Sequence, residues 1–262
     1  NIIVSTLDNN VNRVVEKITE HSSIDTSPSY SPSVFLAKSK SLPFTLNVIE
    51  SSILTTLLLT AATLSPPPTV RIAGGWVRDK LLDLPNDDLD VALSTTTGLA
   101  FAEAVNKLLQ ASDPDPDSKP TKIAVIQANP DQSKHLETAT MRISGLSIDF
   151  VNLRSEEYAV DSRIPTIAFG TPTEDALRRD FTLNALFFNV STCEIEDFTN
   201  KGVADLKAKI LRTPLDPLVT FLDDPLRVLR GVRFSARFGL EIEAEAMKAA
   251  STLEVSKRSE RA

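Results

Sequence analysis

Apolar positions recur at helical spacing from Leu46 to Leu64, and the pattern stops at Ser65-Pro66-Pro67-Pro68, where successive prolines cannot continue a helix. Thr69 to Ala73 predicts a short strand, Gly74-Gly75 breaks it, and Trp76 to Leu84 returns to helical spacing. Leu89 to Leu93 predicts another strand and Leu99 to Gln110 another helix. Asp113-Pro114-Asp115-Pro116-Asp117 predicts an exposed acidic linker. Further strands are expected over Lys122–Gln127, His135–Ile143, Leu146–Leu153 and Ala185–Val190, and from Phe221 onward the pattern turns helical. Residues 20–45, rich in Ser, Pro and Thr, predict loop or disorder. Strands interspersed with helices, then mainly helix, predict an α/β or α+β front domain with an all-α continuation.

Composition narrows this little. With 262 residues, 42% hydrophobic and 24% charged, the chain is globular, which excludes wholesale disorder and fibrous repeats. The longest apolar run, Ile53 to Leu64, is broken by threonines and is too short for a membrane span, so no membrane partner is expected. A single cysteine, Cys193, excludes an internal disulfide framework and a cysteine-based zinc site, and fits a reducing, intracellular compartment. His21 and His135 lie far apart and leave little material for a histidine-rich metal site. The net charge of −7 argues against a protein coated in basic charge to hold nucleic acid, while leaving room for a local basic groove. Asn1 in place of a methionine, and an end at Ala262 just after a helical pattern, lead us to expect a fragment or processed form.

Candidate chemistry begins at Gly74-Gly75-Trp76-Val77-Arg78-Asp79. A strand that runs through two glycines into a helix leaves backbone N–H groups open to a phosphate, and Arg78 in the first turn can reach the same anion. On its own a bare Gly-Gly reads first as a plain strand-to-helix turn with Arg78 solvated. Asp88 and Asp90 change the balance. Two apart on a strand, they project to one face while Leu89 and Val91 go to the core. Their mutual repulsion is relieved by a divalent cation, and Mg²⁺ prefers one or two carboxylates together with substrate phosphates. Asp149, flanked by Ile148 and Phe150, offers a third strand carboxylate, which either completes a metal site or orients a neighbouring arginine.

Asp224-Pro225 is a good helix start, so the local reading of Asp224 is structural. Arg227, Arg230, Arg233 and Arg237 then gather along one side of that helix, with Leu226, Leu229 and Ala236 expected on the adjoining buried stripe. Without matching acids these arginines would repel one another unless a triphosphate or an RNA backbone lies against them. The bland alternative is a solvated basic face.

Four ordered segments carry a family resemblance. Gly74-Gly75-Trp76-Val77-Arg78-Asp79 with Asp88-Leu89-Asp90 resembles the first motif of class II tRNA nucleotidyltransferases, the CCA-adding enzymes. Ser133 to Thr140 and Ile148 to Arg154 look like the fungal and plant version of the same group. Arg178-Arg179-Asp180-Phe181-Thr182 resembles the second motif, and Asp223-Asp224-Pro225-Leu226-Arg227 the nucleotide-reading motif, with Asp223 where glutamate is commoner. The resemblance covers roughly residues 69–250 and is specific because the segments come in order.

It implies an α+β fold, a polymerase-β-like nucleotidyltransferase head followed by a helical neck, with residues 1–68 an N-terminal extension carrying one helix, 69–212 the head and 213–262 the neck. It implies addition of CCA to the tRNA 3′ end from CTP and ATP, with Asp88 and Asp90 as catalytic carboxylates binding two Mg²⁺ ions (Mn²⁺ being the alternative). Gly74, Gly75 and Arg78 would hold the triphosphate, Asp224 and Arg227 would read the base, and Arg179, Arg230 and Arg233 would line the nucleotide pocket. Asp180 and Asn184 would support them, Arg178 would pair with Glu174 or Asp175, and Ser155 to Thr173 would be the loop that helps switch from C to A addition. Body and tail domains that hold the tRNA would follow Ala262. Cytoplasm, nucleus and mitochondrion all remain open, as does oligomeric state. Rival readings are an enzyme adding only CC or only A, a poly(A) polymerase relative, and a non-catalytic RNA-binding module.

Overall fold

The computed structural model of the chain describes residues 27–113, 119–126, 138–157, 166–252 and 255, which fall into two compact units. The first is drawn from Asn1–Gln127, Glu137–Asn152 and Phe188–Ile195, the second from Ala128–Leu136, Leu153–Phe187 and Glu196–Ala262. In chain order the elements are α1 (Pro32–Ser39), α2 (Val48–Ala62), β1 (Val70–Ala73), α3 (Gly75–Leu81), β2 (Asp88–Leu93) and α4 (Gly98–Ser112). Then come β3 (Ala124–Ile126), β4 (Thr138–Ile143), β5 (Leu146–Asn152), β6 (Arg154–Glu157), β7 (Thr166–Phe169) and α5 (Pro172–Leu177). After these follow β8 (Leu186–Asn189), β9 (Glu194–Asp197), α6 (Gly202–Ala208) and β10 (Ile210–Leu211). The chain continues with α7 (Pro217–Asp223), α8 (Leu226–Phe238), β11 (Glu241–Ile242) and α9 (Ala244–Ala250).

The α+β expectation holds. A seven-stranded mixed sheet runs in the order β3-β4-β5-β2-β1-β8-β9, with β2 antiparallel to β1 and parallel to β5. On β2, Leu89, Val91 and Leu93 are buried while Asp88 and Asp90 are exposed, which is the alternation the sequence predicts. Leu89 and Val91 stand beside Ile148 and Phe150 of β5, and all four belong to the core with Phe101 of α4 and Ile72 of β1. Helix α2 starts on a reciprocal capping box between Asn47 and Glu50. The Glu50 carboxylate also takes Lys80 at 2.6 Å and Trp76 Nε1 at 3.3 Å, tying α2 to the back of α3. In the second unit, Phe181, Leu211, Phe221 and Phe234 are buried.

Several expectations need correction. The part of residues 20–45 that is described is not loop throughout, because Pro32 starts α1 and Phe35, only 1% exposed, anchors it. The N-terminal extension therefore has a second helix. Ser155 to Thr173, expected as a loop, carries the antiparallel β6–β7 pair, with Arg154 opposite Phe169. The stretch after Phe221 is interrupted by β11, which pairs in parallel with β10. Most of the acidic linker, Arg163 of the expected switching loop, both histidines and Ser133 to Glu137 lie outside the described residues. No described helix is long and apolar enough to cross a membrane.

Candidate active site

In the first unit the glycine turn and the carboxylates share one end of the sheet. Gly74, at φ 65° and ψ −112°, adopts a backbone conformation that side-chain-bearing residues rarely reach, and it caps α3 directly after β1. Ala73, the residue before it, is the register partner of Asp90. On the other side of Asp90 the partner is Asp149, and Asp149 in turn stands opposite Thr140 of β4. Thr140, Asp149 and Asp90 thus form a row across three strands, with Asp88 two positions along β2 on the same face. The Thr140 hydroxyl donates to Asp149 Oδ1 at 2.6 Å, so the third carboxylate is anchored by a hydroxyl.

Arg78 is buried, 6% exposed, and its Nε donates to Asp79 Oδ1 at 2.7 Å. Asp79 Oδ2 accepts from Asn86 Nδ2 at 2.7 Å, and Asn86 Oδ1 accepts the backbone N–H of Asp88 at 2.9 Å. One relay therefore links the arginine after the glycine turn to the first residue of the carboxylate strand. A Cβ added at Gly75 would lie 3.7 Å from Arg78 Nη2 and 3.9 Å from Asn86 Nδ2, which places both groups beside the turn. Sequence reasoning missed Asn86, and no spacing signal could have found it.

These residues suit a divalent cation. Asp88 and Asp90 present two exposed carboxylates on one face, the donor set that Mg²⁺ takes when phosphate oxygens complete its shell. Among the described residues no group of three or more His, Cys, Asp or Glu side chains is arranged to hold a metal, and Asp149 stands next to Asp90 across the β2–β5 pair.

The second unit concentrates arginines. Asp175, on α5, is 1% exposed and takes Arg178 at 2.6 Å and Arg179 at 2.9 Å. Burial pushes the Asp175 carboxyl up, but the guanidinium groups of Arg179 and Arg178 and their hydrogen bonds hold it below its ordinary value. Glu174 instead closes a capping box with Thr171, so of the two acids expected for Arg178 it is Asp175 that pairs. Arg178 Nη1 also donates to Glu156 Oε1 at 2.8 Å. Arg179 lies over the Phe187 ring at 5.0 Å and donates to the Asn184 carbonyl. The i+3 and i+4 spacing from Asp175 was the signal for this shared acid.

On α8, Arg227 is 8% exposed and its Nη2 donates to the Arg178 carbonyl at 2.9 Å. Arg230 grips Asp180 through Nε and Nη2 at 2.7 Å, and Asp180 also accepts from Asn184 Nδ2. So the stripe does have a matching acid. Arg233 and Arg237 are exposed and lie over the rings of Phe234 and Phe238. The expected buried stripe is corrected: Leu226, Leu229 and Ala236 are exposed, and the buried face is Arg227, Gly231 and Phe234. Gly231 lets the helix approach Phe181, whose ring stands edge-on to Phe234 at 6.0 Å. The expected helix start shifts by one residue: Pro225 is the N-cap, and Asp224, just before it, accepts the Leu226 N–H on Oδ1 at 3.0 Å.

The family model of the poly(A) polymerase head domain matches residues 70–212. The chain belongs to the class II tRNA nucleotidyltransferase and poly(A) polymerase family. Among curated members, the mitochondrial CCA tRNA nucleotidyltransferase of Saccharomyces cerevisiae is 56% identical over 181 residues, 69% of this chain and 33% of that protein. The tRNA nucleotidyltransferase cca2 of Schizosaccharomyces pombe is 48% identical over 224 residues, 82% of this chain and 46% of that protein. The chain thus spans a third to a half of the relatives it matches. Among solved members, the Thermotoga maritima CCA-adding enzyme in complex with tRNA is 27% identical with a TM-score of 0.58, covering 79% of this chain and 43% of that one. The glycine turn and the carboxylates fall within the first unit, and Arg179 and α8 within the second.

Proposed function

We propose that this chain is the nucleotide-adding part of an enzyme that builds CCA on the 3′ end of tRNA from CTP and ATP, releasing pyrophosphate. The observation that carries this reading is Asp88 and Asp90 standing together on the exposed face of β2, at the end of the sheet where the glycine turn leaves β1. The names of the yeast and Thermotoga relatives support it. Residues 69–212 would be the head, 213–262 the start of the neck and 1–68 an extension. Action in mitochondria, as the yeast relative's name indicates for that protein, is part of the reading, with cytoplasm and nucleus beside it.

The first unit's part is to hold charge. Asp88 and Asp90 would bind two Mg²⁺ ions, or Mn²⁺ in their place, with Asp149 fixed beside them by Thr140. Divalent cations so held supply activation of the primer 3′-hydroxyl and stabilisation of the departing pyrophosphate. Gly74 and Gly75 open their backbone N–H groups to the triphosphate, and Arg78, locked on Asp79, keeps its guanidinium beside them.

The second unit's part is to choose the nucleotide. Cytosine and adenine each present an exocyclic amino donor beside a ring-nitrogen acceptor. Asp224 would accept from the first and Arg227 donate to the second, with the Arg178 carbonyl fixing the Arg227 fork. Uracil and guanine present the reverse polarity and would leave buried polar groups mispaired, which discriminates strongly. Arg179, Arg230 and Arg233 would face the rest of the nucleotide.

The test supplies single nucleotides with tRNA ending before CC, after CC and after CCA. Stepwise C, C and A incorporation is expected, stopping at CCA. Incorporation of A alone onto tRNA ending in CC, continued A addition past CCA, or no incorporation at all would each replace the reading with one of its rivals.

A further inference from the structure

Asp175 is the acid on which the arginine pair of the second unit depends. It is 1% exposed, and five N–H groups point at its two oxygens. Oδ1 accepts from the Arg154 backbone at 3.2 Å, from Arg178 Nε at 2.9 Å and from Arg178 Nη2 at 2.6 Å. Oδ2 accepts from Arg179 Nε at 3.1 Å and Nη2 at 2.9 Å. Each arginine therefore turns its Nε edge to the same carboxylate, one to each oxygen, and the two forks are set side by side.

A guanidinium carries five N–H donors. Arg178 spends three, two on Asp175 and one on Glu156, and Arg179 spends three, two on Asp175 and one on the Asn184 carbonyl. Two donors remain on each, and both side chains keep 16% of their surface exposed. The charge is also unbalanced: among the described residues Arg154, Arg178, Arg179 and, at 3.9 Å, Arg227 share the two acids Asp175 and Glu156 at ion-pair distance. Positive charge is in excess, and Arg154 Nε, 3.2 Å from Glu156 Oε1, is a buried atom without a hydrogen-bond partner. Such a cluster is satisfied by an anion that takes forked donors, which is phosphate chemistry.

We propose that Asp175 is a positioning residue for nucleotide binding: it orients Arg178 and Arg179 together so that their unspent donors take phosphate oxygens of the incoming nucleoside triphosphate. This deepens the nucleotide-adding reading and rests on it. Asp175 itself touches no substrate, and its effect is carried by the two forks.

The test is calorimetric binding of CTP, CMP and cytidine to the chain, beside its thermal unfolding, for wild type and Asp175→Asn. Asparagine keeps the shape but offers one acceptor oxygen and no charge, so CTP affinity is expected to fall about tenfold. CMP and cytidine should change less than about twofold, because they bring fewer phosphate oxygens to the forks. Asp175→Glu, which keeps the charge but displaces the carboxylate, should show the same selective loss of CTP, and it carries the test if the asparagine variant does not fold. Equal losses on all three ligands, or an unchanged CTP affinity at a lowered unfolding temperature, would make Asp175 a purely structural acid and overturn the proposal. A wild-type chain that binds no CTP would overturn the nucleotide-adding reading, and the role of Asp175 would fall with it.

Discussion

The carboxylates of the first unit and the arginines of the second are held in opposite ways. Asp88 and Asp90 owe their direction to strand register, and Asp88 is anchored through its backbone N–H, which donates to Asn86. Arg178, Arg179, Arg227 and Arg230 are gripped by their side chains, on Asp175, Glu156, a carbonyl and Asp180. A short side chain on a strand points where the pleat sends it, so its direction does not depend on a partner. A long arginine loses its many rotamers only when partners hold it, and each partner consumes donors. Function and stability should therefore separate at the carboxylates and travel together at the arginines.

The largest test of that contrast is Asp88→Ala with Asp90→Ala. CMP transfer to a shortened tRNA should fall about ten-thousandfold or more, since a metal-held transition state is lost. The unfolding midpoint should move by no more than a degree or two, about the effect of removing exposed charges. A midpoint lowered by several degrees would show that the pair is structural. Next comes Arg227→Ala, where kcat/KM for CTP should fall about a thousandfold and stability should also drop by about 2 kcal/mol, because the Arg178 carbonyl loses a charged donor. Arg227→Lys should recover part of the stability while still confusing CTP with UTP, as a lysine cannot reproduce the fork. Full activity with lost stability would remove Arg227 from base reading.

The first region was far more legible in the sequence than the second. Alternation along Asp88 to Leu93 gave the face of each aspartate directly, because a strand's period is fixed. The same reasoning failed on α8, where Leu226 and Leu229 were expected inside and are exposed. There a glycine and an arginine took the buried face, since Gly231 allows close approach to Phe181 and Arg227 finds a carbonyl to bond. Composition alone ranks arginine outside, and only the tertiary partner reverses that. Asn86 and Thr140 were invisible for a related reason: each acts through a partner on another element, and no periodicity records such a bond.

Two glycines sharpen the comparison at the level of packing. A Cβ at Gly98 would lie 2.3 Å from the Phe150 carbonyl oxygen, a backbone atom fixed within the sheet. Gly98→Ala should cost about 3 kcal/mol in urea unfolding, the upper end of overpacking. A Cβ at Gly231 would lie 3.0 Å from Phe181 Cζ, the far end of a ring that can tilt. Gly231→Ala also gains helix propensity of about 1 kcal/mol, so its net cost should stay within about 1 kcal/mol. Equal losses at the two sites would mean that the arginine-bearing helix is packed as rigidly as the sheet.

The smallest effect is expected from protons, and it isolates the grip of arginine on acid. Although burial raises it, the Asp175 carboxyl is held below its ordinary value of 3.8 by Arg179 and Arg178. A carboxyl depressed in the folded chain contributes stability that is fully present above the unfolded value and is lost as pH falls through the folded one. The stability gap between wild type and Asp175→Asn, from urea unfolding, should be constant from pH 7 down to about 5 and narrow only below about 4. Glu174 is also held low, by its backbone and side-chain bonds with Thr171, but it is common to both chains and cancels in the difference. A gap that stays flat from pH 7 to 3 would mean that the arginines do not hold this carboxylate in solution, and the contrast between strand-set acids and partner-set arginines would lose its clearest member.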